Sequence, residues 1–152
     1  MLKEAGIHIC IDTNGGIWNK DVEEMLGLAD LVLLDVKEFN NQRHQTLTSR
    51  SNEQTLKTAA WLEEHSKPFW LRYVLVQGYS YFEEDMEALG EHFKDYQCIE
   101  RVEILPYHTL GVHKYEAMNM EYQLKDVQPN IPEQLEAAKI IFKKYFKTVY
   151  VN

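Results

Sequence analysis

Short apolar bursts alternate with helix-patterned segments along the whole chain, and this limits its fold more than any other feature. "GIHICIDT" (6–13), "LVLLDVK" (31–37), "PFWLRYVLVQG" (68–78), "IERVEILPYH" (99–108) and "KTVYVN" (147–152) read as strands. Between them "KDVEEMLGLAD" (20–30), "NEQTLKTAAWLEEHS" (52–66), "YFEEDMEALGEHFKDY" (81–96) and "IPEQLEAAKIIFKKYF" (131–146) read as helices. Helical spacing is clear at Leu56, Ala59, Ala60 and Leu62 or Glu63, and again at Phe82, Met86, Leu89 and Phe93. Ser51 or Asn52 suits the N-cap of the second helix, and Pro132 the first turn of the last. Alternating strands and helices predict an α/β fold, a parallel sheet with helical crossovers. Near-continuous apolar strands predict burial on both sheet faces. The segment from His108 to Asn130 has little periodicity and reads as a long loop, of a length that is usually functional or disordered.

The 152 residues suit one domain, residues 1–152. The net charge of −8, with Lys and Arg scattered, argues against a nucleic-acid partner. No apolar run is long enough for a membrane helix, and "MLKEAGIH" does not resemble a signal peptide, so a cytoplasmic location is expected. The two cysteines, Cys10 and Cys98, are far apart and form no metal-ligand pattern; each reads as a small buried hydrophobe.

The polar residues gather where the predicted strands end. In "DLVLLDVKEFN" a core strand finishes with Asp35 and Lys37, two opposite charges that project to the same side. Burying a charge is costly unless it is paired or bound. Asp35 and Lys37 therefore either pair with each other or grip the two ends of a zwitterionic ligand. The first strand ends in Asp12, Thr13 and Asn14, the fourth in Tyr107 and His108. Parallel strands would bring these groups to one rim, the ligand-binding side of α/β sheets. Asn14-Gly15-Gly16 is a turn but not a phosphate loop.

His44, His65 and His92 read as surface residues, and His8 as a core histidine beside Cys10. His108 and His113 lack a third metal ligand, and His108 reads better as a hydrogen-bonding group. Trp61, Trp70, Phe82 and Phe142 fall at core-like positions. A divalent metal such as Mg²⁺ or Mn²⁺ between Asp12, Asp35 and His108 is a further reading.

"CIDTNG", "DLVLLDVK", "WLRYVLVQGYS" and "VEILPYHTLGVHKY", in this order, resemble the glycyl-radical-enzyme activating enzymes, and most of all those that serve pyruvate formate-lyase. That family belongs to the radical S-adenosylmethionine superfamily. The resemblance implies the C-terminal portion of a partial (β/α)6 TIM-like barrel. It also implies S-adenosylmethionine and a [4Fe-4S] cluster as cofactors, and a glycyl radical enzyme as protein substrate. In the family an electron from the cluster cleaves a carbon–sulfur bond of S-adenosylmethionine, and the resulting 5′-deoxyadenosyl radical takes a hydrogen from a backbone glycine.

Position by position, Asp12, Thr13, Asp35 and the backbone of Leu33 match a monovalent-cation site near the ligand's carboxylate. Lys37 matches a lysine near that carboxylate, His108 a contact of the nucleoside, and Leu105 a residue packing nearby. The chain has no CxxxCxxC cluster motif and no GGE segment. Gln77-Gly78 stands in place of Pro-Gly, and "LTSR" in place of LTG. The expectation is an incomplete barrel without its N-terminal cluster-binding part. Such a chain would be inactive alone, with an exposed sheet edge that invites self-association. A non-catalytic binding module for a glycyl radical enzyme is the alternative.

Overall fold

The computed structural model describes residues 2–152. Five strands form one sheet: β1 (Cys10–Thr13), β2 (Leu31–Asp35), β3 (Phe69–Leu75), β4 (Ile99–Pro106) and β5 (Val149–Val151). All neighbours are parallel, and the spatial order β1-β2-β3-β4-β5 is the sequence order. Parallel crossovers are right-handed almost without exception, so a monotonic order puts the connecting helices on one face. This is the arrangement of a barrel wall, helices outside and strand ends at one rim.

The helices are α1 (Lys20–Leu28), α2 (Asn41–Thr48), α3 (Glu53–Glu64), α4 (Glu83–Phe93), α5 (Val112–Ala117) and α6 (Pro132–Phe142). Side-chain caps start the first two. Asn19 accepts the Val22 N–H at 2.9 Å, and Asn40 accepts those of Gln42 and Arg43 at 3.0 and 3.2 Å. At α3 the Ser51 hydroxyl accepts the Glu53 N–H at 3.2 Å. Asn52 instead turns inward and donates to the carbonyls of Phe39 and Glu38. Pro132 opens α6 as expected.

Burial alternates along the strands. On β3, Phe69, Leu71, Tyr73 and Leu75 are buried while Trp70, Arg72 and Val74 are half-buried. The expectation of burial on both faces is thereby corrected. The helix-covered face carries the core, with Val32, Leu34 and Val36 under Leu62, Met86, Leu89 and Phe142. The other face is open and holds Leu33, Trp70, Val74 and Leu105 among charged groups. The apolar residues of that face made the strands look doubly buried.

Other placements differ as well. β1 starts at Cys10, later than the pattern implied, and His8 and Cys10 are exposed. Cys10 stands opposite Leu31 on the open face of an edge strand, where nothing covers it. His44 is buried, 6% exposed, with Nδ1 held by the Arg50 carbonyl at 2.8 Å. Phe142 is in the core, but Trp61, Trp70 and Phe82 are only half-buried. Trp61 stacks on His65, Trp70 lies under the Arg101 guanidinium, and Phe82 under that of Arg43. Ala60 points to solvent.

The segment after β4 contains α5, and Tyr107 ties it down. The Tyr107 hydroxyl lies 2.7 Å from that of Tyr122 and donates to the Leu124 carbonyl, while its N–H donates to Asn130. Among the described residues no helix is long and apolar enough to cross a membrane.

Candidate functional site

The open face of the sheet concentrates charge. Asp12 is opposite Leu33, Asp35 is opposite Arg72, and Arg72 is opposite Glu103. Register and alternation therefore put Asp12, Asp35, Arg72 and Glu103 on one side. Lys37, just past β2, joins them by donating to Asp35 at 2.6 Å. Arg72 donates to Asp12 at 2.6 Å, and its Nε lies 3.4 Å from Asp35 and 3.8 Å from Glu103. Arg101 pairs with Glu103 at 2.6 Å. Burial disfavours the Arg72 charge, but Asp12, Asp35 and Glu103 outweigh it and raise its pKa.

The network is electrically balanced yet incompletely bonded. Asp35 Oδ1 and Arg72 Nε are buried and face each other at 3.4 Å as an ion pair without a hydrogen bond, and Arg101 Nε is buried without a hydrogen-bond partner. A buried acceptor and a buried donor that meet only in a long ion pair leave hydrogen-bonding capacity unspent. An ammonium group on Asp35 and a carboxylate on Arg72 would satisfy both, so the donor set fits an α-amino acid zwitterion. A [4Fe-4S] cluster does not fit. Cys10 and Cys98 are the only cysteines and lie on different strand positions of β1 and before β4.

The predicted site residues divide as follows. Asp12, Asp35 and Lys37 are connected through Arg72 and share the open face. Leu33 and Leu105 lie on the same face, opposite Asp12 and Val74 respectively. Thr13 is opposite Leu34, on the covered side, and its hydroxyl accepts the Gly15 N–H at 3.0 Å. His108 follows β4 at the same, carboxyl end of the sheet and is exposed. The divalent-metal reading is corrected: among the described residues no three His, Cys, Asp or Glu side chains are placed to hold a metal ion. Both carboxylates of that reading already face Arg72.

Arg72, Glu103 and Arg101 were missed by the sequence reading. A signal for them existed, since charged residues inside strands otherwise rich in apolar residues are rarely buried without a partner.

Behind the rim lies a second, fully buried acid. Glu38 follows Lys37, accepts the Asn40 N–H at 2.9 Å, and lies 3.3 Å from the Tyr73 hydroxyl. Tyr73 spends its single proton on the Ser80 carbonyl at 2.8 Å. A protonated Glu38 donating to Tyr73 completes this arrangement. Burial pushes the Glu38 carboxyl up to about 7, and Asp85 nearby adds to the rise. Ser80 in turn accepts the Val76 N–H and donates to the Val74 carbonyl, closing the β3–α4 turn.

No protein-family model matches the chain. It is 42% identical over 145 residues to the pyruvate formate-lyase 1-activating enzyme of Escherichia coli (strain K12), a match covering 94% of this chain and 59% of that enzyme. Among solved structures it superposes on a domain of a pyruvate-formate lyase-activating enzyme from Bacteroides vulgatus with a TM-score of 0.79. That match has 22% identity and covers 99% of this chain and 84% of the domain. A radical SAM methyltransferase from Sphaerobacter thermophilus matches with a TM-score of 0.70 and 12% identity, over 97% of this chain and 42% of the methyltransferase. These two likenesses establish the fold, part of a TIM-like α/β barrel. The order of the sequence motifs, the barrel-wall topology and the extent of the 42% match agree: the chain belongs to the pyruvate formate-lyase activating enzymes and spans about three-fifths of the length of the relatives it matches.

Proposed function

We propose that this chain supplies the S-adenosylmethionine-holding wall of a radical S-adenosylmethionine activase that generates the glycyl radical of pyruvate formate-lyase. The observation that carries the reading is the long, 3.4 Å ion pair between buried Asp35 Oδ1 and Arg72 Nε on the open face, which leaves both atoms without a hydrogen bond. Asp35 would take the ligand's ammonium group, and Arg72 with Lys37 its carboxylate. His108, beyond β4, would meet the nucleoside, with Leu105 packing beside it. A monovalent cation near the carboxylate would draw on Asp12, Asp35 and the Leu33 carbonyl, in competition with Arg72 for the two acids, and without Thr13, which faces the covered side.

The electron for carbon–sulfur cleavage comes, in such enzymes, from a [4Fe-4S] cluster, and this chain has no cysteine set to hold one. We therefore assign it ligand binding without turnover. Anaerobic reconstitution followed by iron quantitation tests this: the expected result is no stoichiometric cluster on the chain alone. A full complement of iron would overturn it. Turnover should appear only when a polypeptide bearing a CxxxCxxC motif is added, read as 5′-deoxyadenosine release.

A second reading, a non-catalytic docking module for the glycyl radical enzyme, draws on the same rim. A pull-down with pyruvate formate-lyase tests it. Pairing through the edges of β1 and β5 would make dimers, which sedimentation velocity would register.

A further inference from the structure

Beside the charged face, but on the other side of Lys37, a separate cavity of about 220 Å³ opens between the turn after β1 and the α2–α3 hinge. Its lining includes three basic residues, Lys37, His44 and Arg50, and no acidic one. This is unusual in a chain of net charge −8. Only Lys37 has an acidic partner, Asp35. Among the described residues no carboxylate pairs with the Arg50 guanidinium.

The hydrogen bonds inside the cavity wall show what it lacks. Thr55 spends its proton on the Asn14 carbonyl at 2.7 Å, and Ser51 donates to Asn41 at 3.0 Å. The Asn14 side-chain oxygen accepts the Gly16 N–H at 3.0 Å, which leaves its amide NH₂ unused. A carbonyl only accepts, so the contact from His44 Nδ1 to the Arg50 carbonyl puts a proton on Nδ1. His44 is 94% buried, lines the cavity, and its Nε2 has no partner among the described residues. The unspent groups are thus the Arg50 guanidinium, the Asn14 amide and His44 Nε2, with Lys37 at the border. Three are donors. With its proton on Nδ1, neutral His44 offers a lone pair at Nε2.

We infer that this cavity is a binding site for a small oxyanion that carries a hydroxyl, of the hydrogen phosphate class. The charged oxygens accept from Arg50, Asn14 and Lys37, and the P–OH donates to the neutral Nε2 of His44. The volume equals about seven waters in the liquid, enough for inorganic phosphate and too small for a nucleotide. The site shares only Lys37 with the adenosyl reading, since Arg50, Asn14 and His44 lie outside the open-face network.

Inorganic phosphate, titrated into the full chain without adenosyl ligand and at constant ionic strength, tests the inference by heteronuclear NMR. The expected result is saturable shifts of the His44 ring and the Arg50 amide, with a dissociation constant of about 1 mM or tighter. Arg50→Ala should weaken binding at least tenfold, and Arg50→Lys should restore part of it. Arg50 is exposed, so both variants should keep the parent spectrum elsewhere. Absence of saturable shifts, identical shifts with chloride, or unchanged affinity in a folded Arg50→Ala would overturn the site.

Discussion

Arg72 on β3 reaches past β2 to Asp12 on β1, with Nη1 2.6 Å from Oδ2. This contact spans the width of three strands and ties the edge strand to the sheet's centre. The two partners are unequal. The Asp12 side chain is 62% exposed, whereas that of Arg72 is 18% exposed and also faces Asp35 and Glu103. An exposed ion pair contributes little to stability, and removing one partner of a buried network costs much more. Arg72→Met should therefore destabilise the chain by about 3 kcal/mol, and Asp12→Asn by less than about 1 kcal/mol. Urea denaturation of both variants measures the ranking; equal losses would show that the buried partners do not govern Arg72.

Glu38 predicts how stability follows pH. Its carboxyl has an ordinary value of 4.5 in the unfolded chain and is raised to about 7 in the fold. Between those values the folded state binds more protons than the unfolded, so stability falls as pH rises from about 4.5 to about 7 and levels beyond. At 1.36 kcal/mol per pH unit the loss is about 3 kcal/mol as an upper bound. Glu38→Gln keeps the shape and stays neutral. It should flatten the profile in that window and make the chain more stable than the parent above neutrality. Melting temperatures across the window check this, and a Gln variant with the parent's slope would refute it.

The turn after β1 is strict about Gly15. Its φ is +61°, and a Cβ there would lie 2.9 Å from Leu34 Cδ1 and 3.0 Å from Thr58 Cβ. Strained backbone and a crowded core act together, so Gly15→Ala should cost about 2–3 kcal/mol. Gly16→Ala, whose nearest neighbour is the Asn14 side chain at 3.2 Å, should cost distinctly less. Thermal unfolding of the two variants side by side compares them.

Ser80 closes the β3–α4 turn with two hydrogen bonds, one buried and one part-buried. Ser80→Ala leaves the Val76 N–H without an acceptor, at a cost of about 1–3 kcal/mol. Hydrogen exchange should speed up first at the amides of Val76, Tyr79 and Tyr81. Unchanged protection there would show that the turn does not depend on the hydroxyl.

The fold class was legible because five apolar strands alternate with four helices whose apolar stripes are clear, as at Met86, Leu89 and Phe93. α2 was not, since "NQRHQTLT" has no apolar stripe and buries only His44. α5 is too short to show a period. The rim was legible at Asp12, Asp35 and Lys37 because charges ending apolar strands need an explanation. Arg72 and Glu103 sit inside strands, where the apolar neighbours dominated the reading. Glu38 follows the strand end with nothing in its neighbours to mark it, and only the packing of Tyr73 and Ser80 around it makes it a core acid. Thr13, adjacent to Asp12, necessarily faces the other way, a consequence of the strand's period of two that the motif match overlooks.

The central claim is that the open face holds a zwitterion between Asp35 and Arg72. Calorimetric titration of S-adenosylmethionine into the parent chain and into Asp35→Asn tests it most directly. The account predicts saturable one-to-one binding to the parent and a loss of at least about tenfold in the variant, which removes the charge that meets the ammonium group. A folded parent chain that shows no binding, or an Asp35→Asn variant that binds as well as the parent, would contradict it.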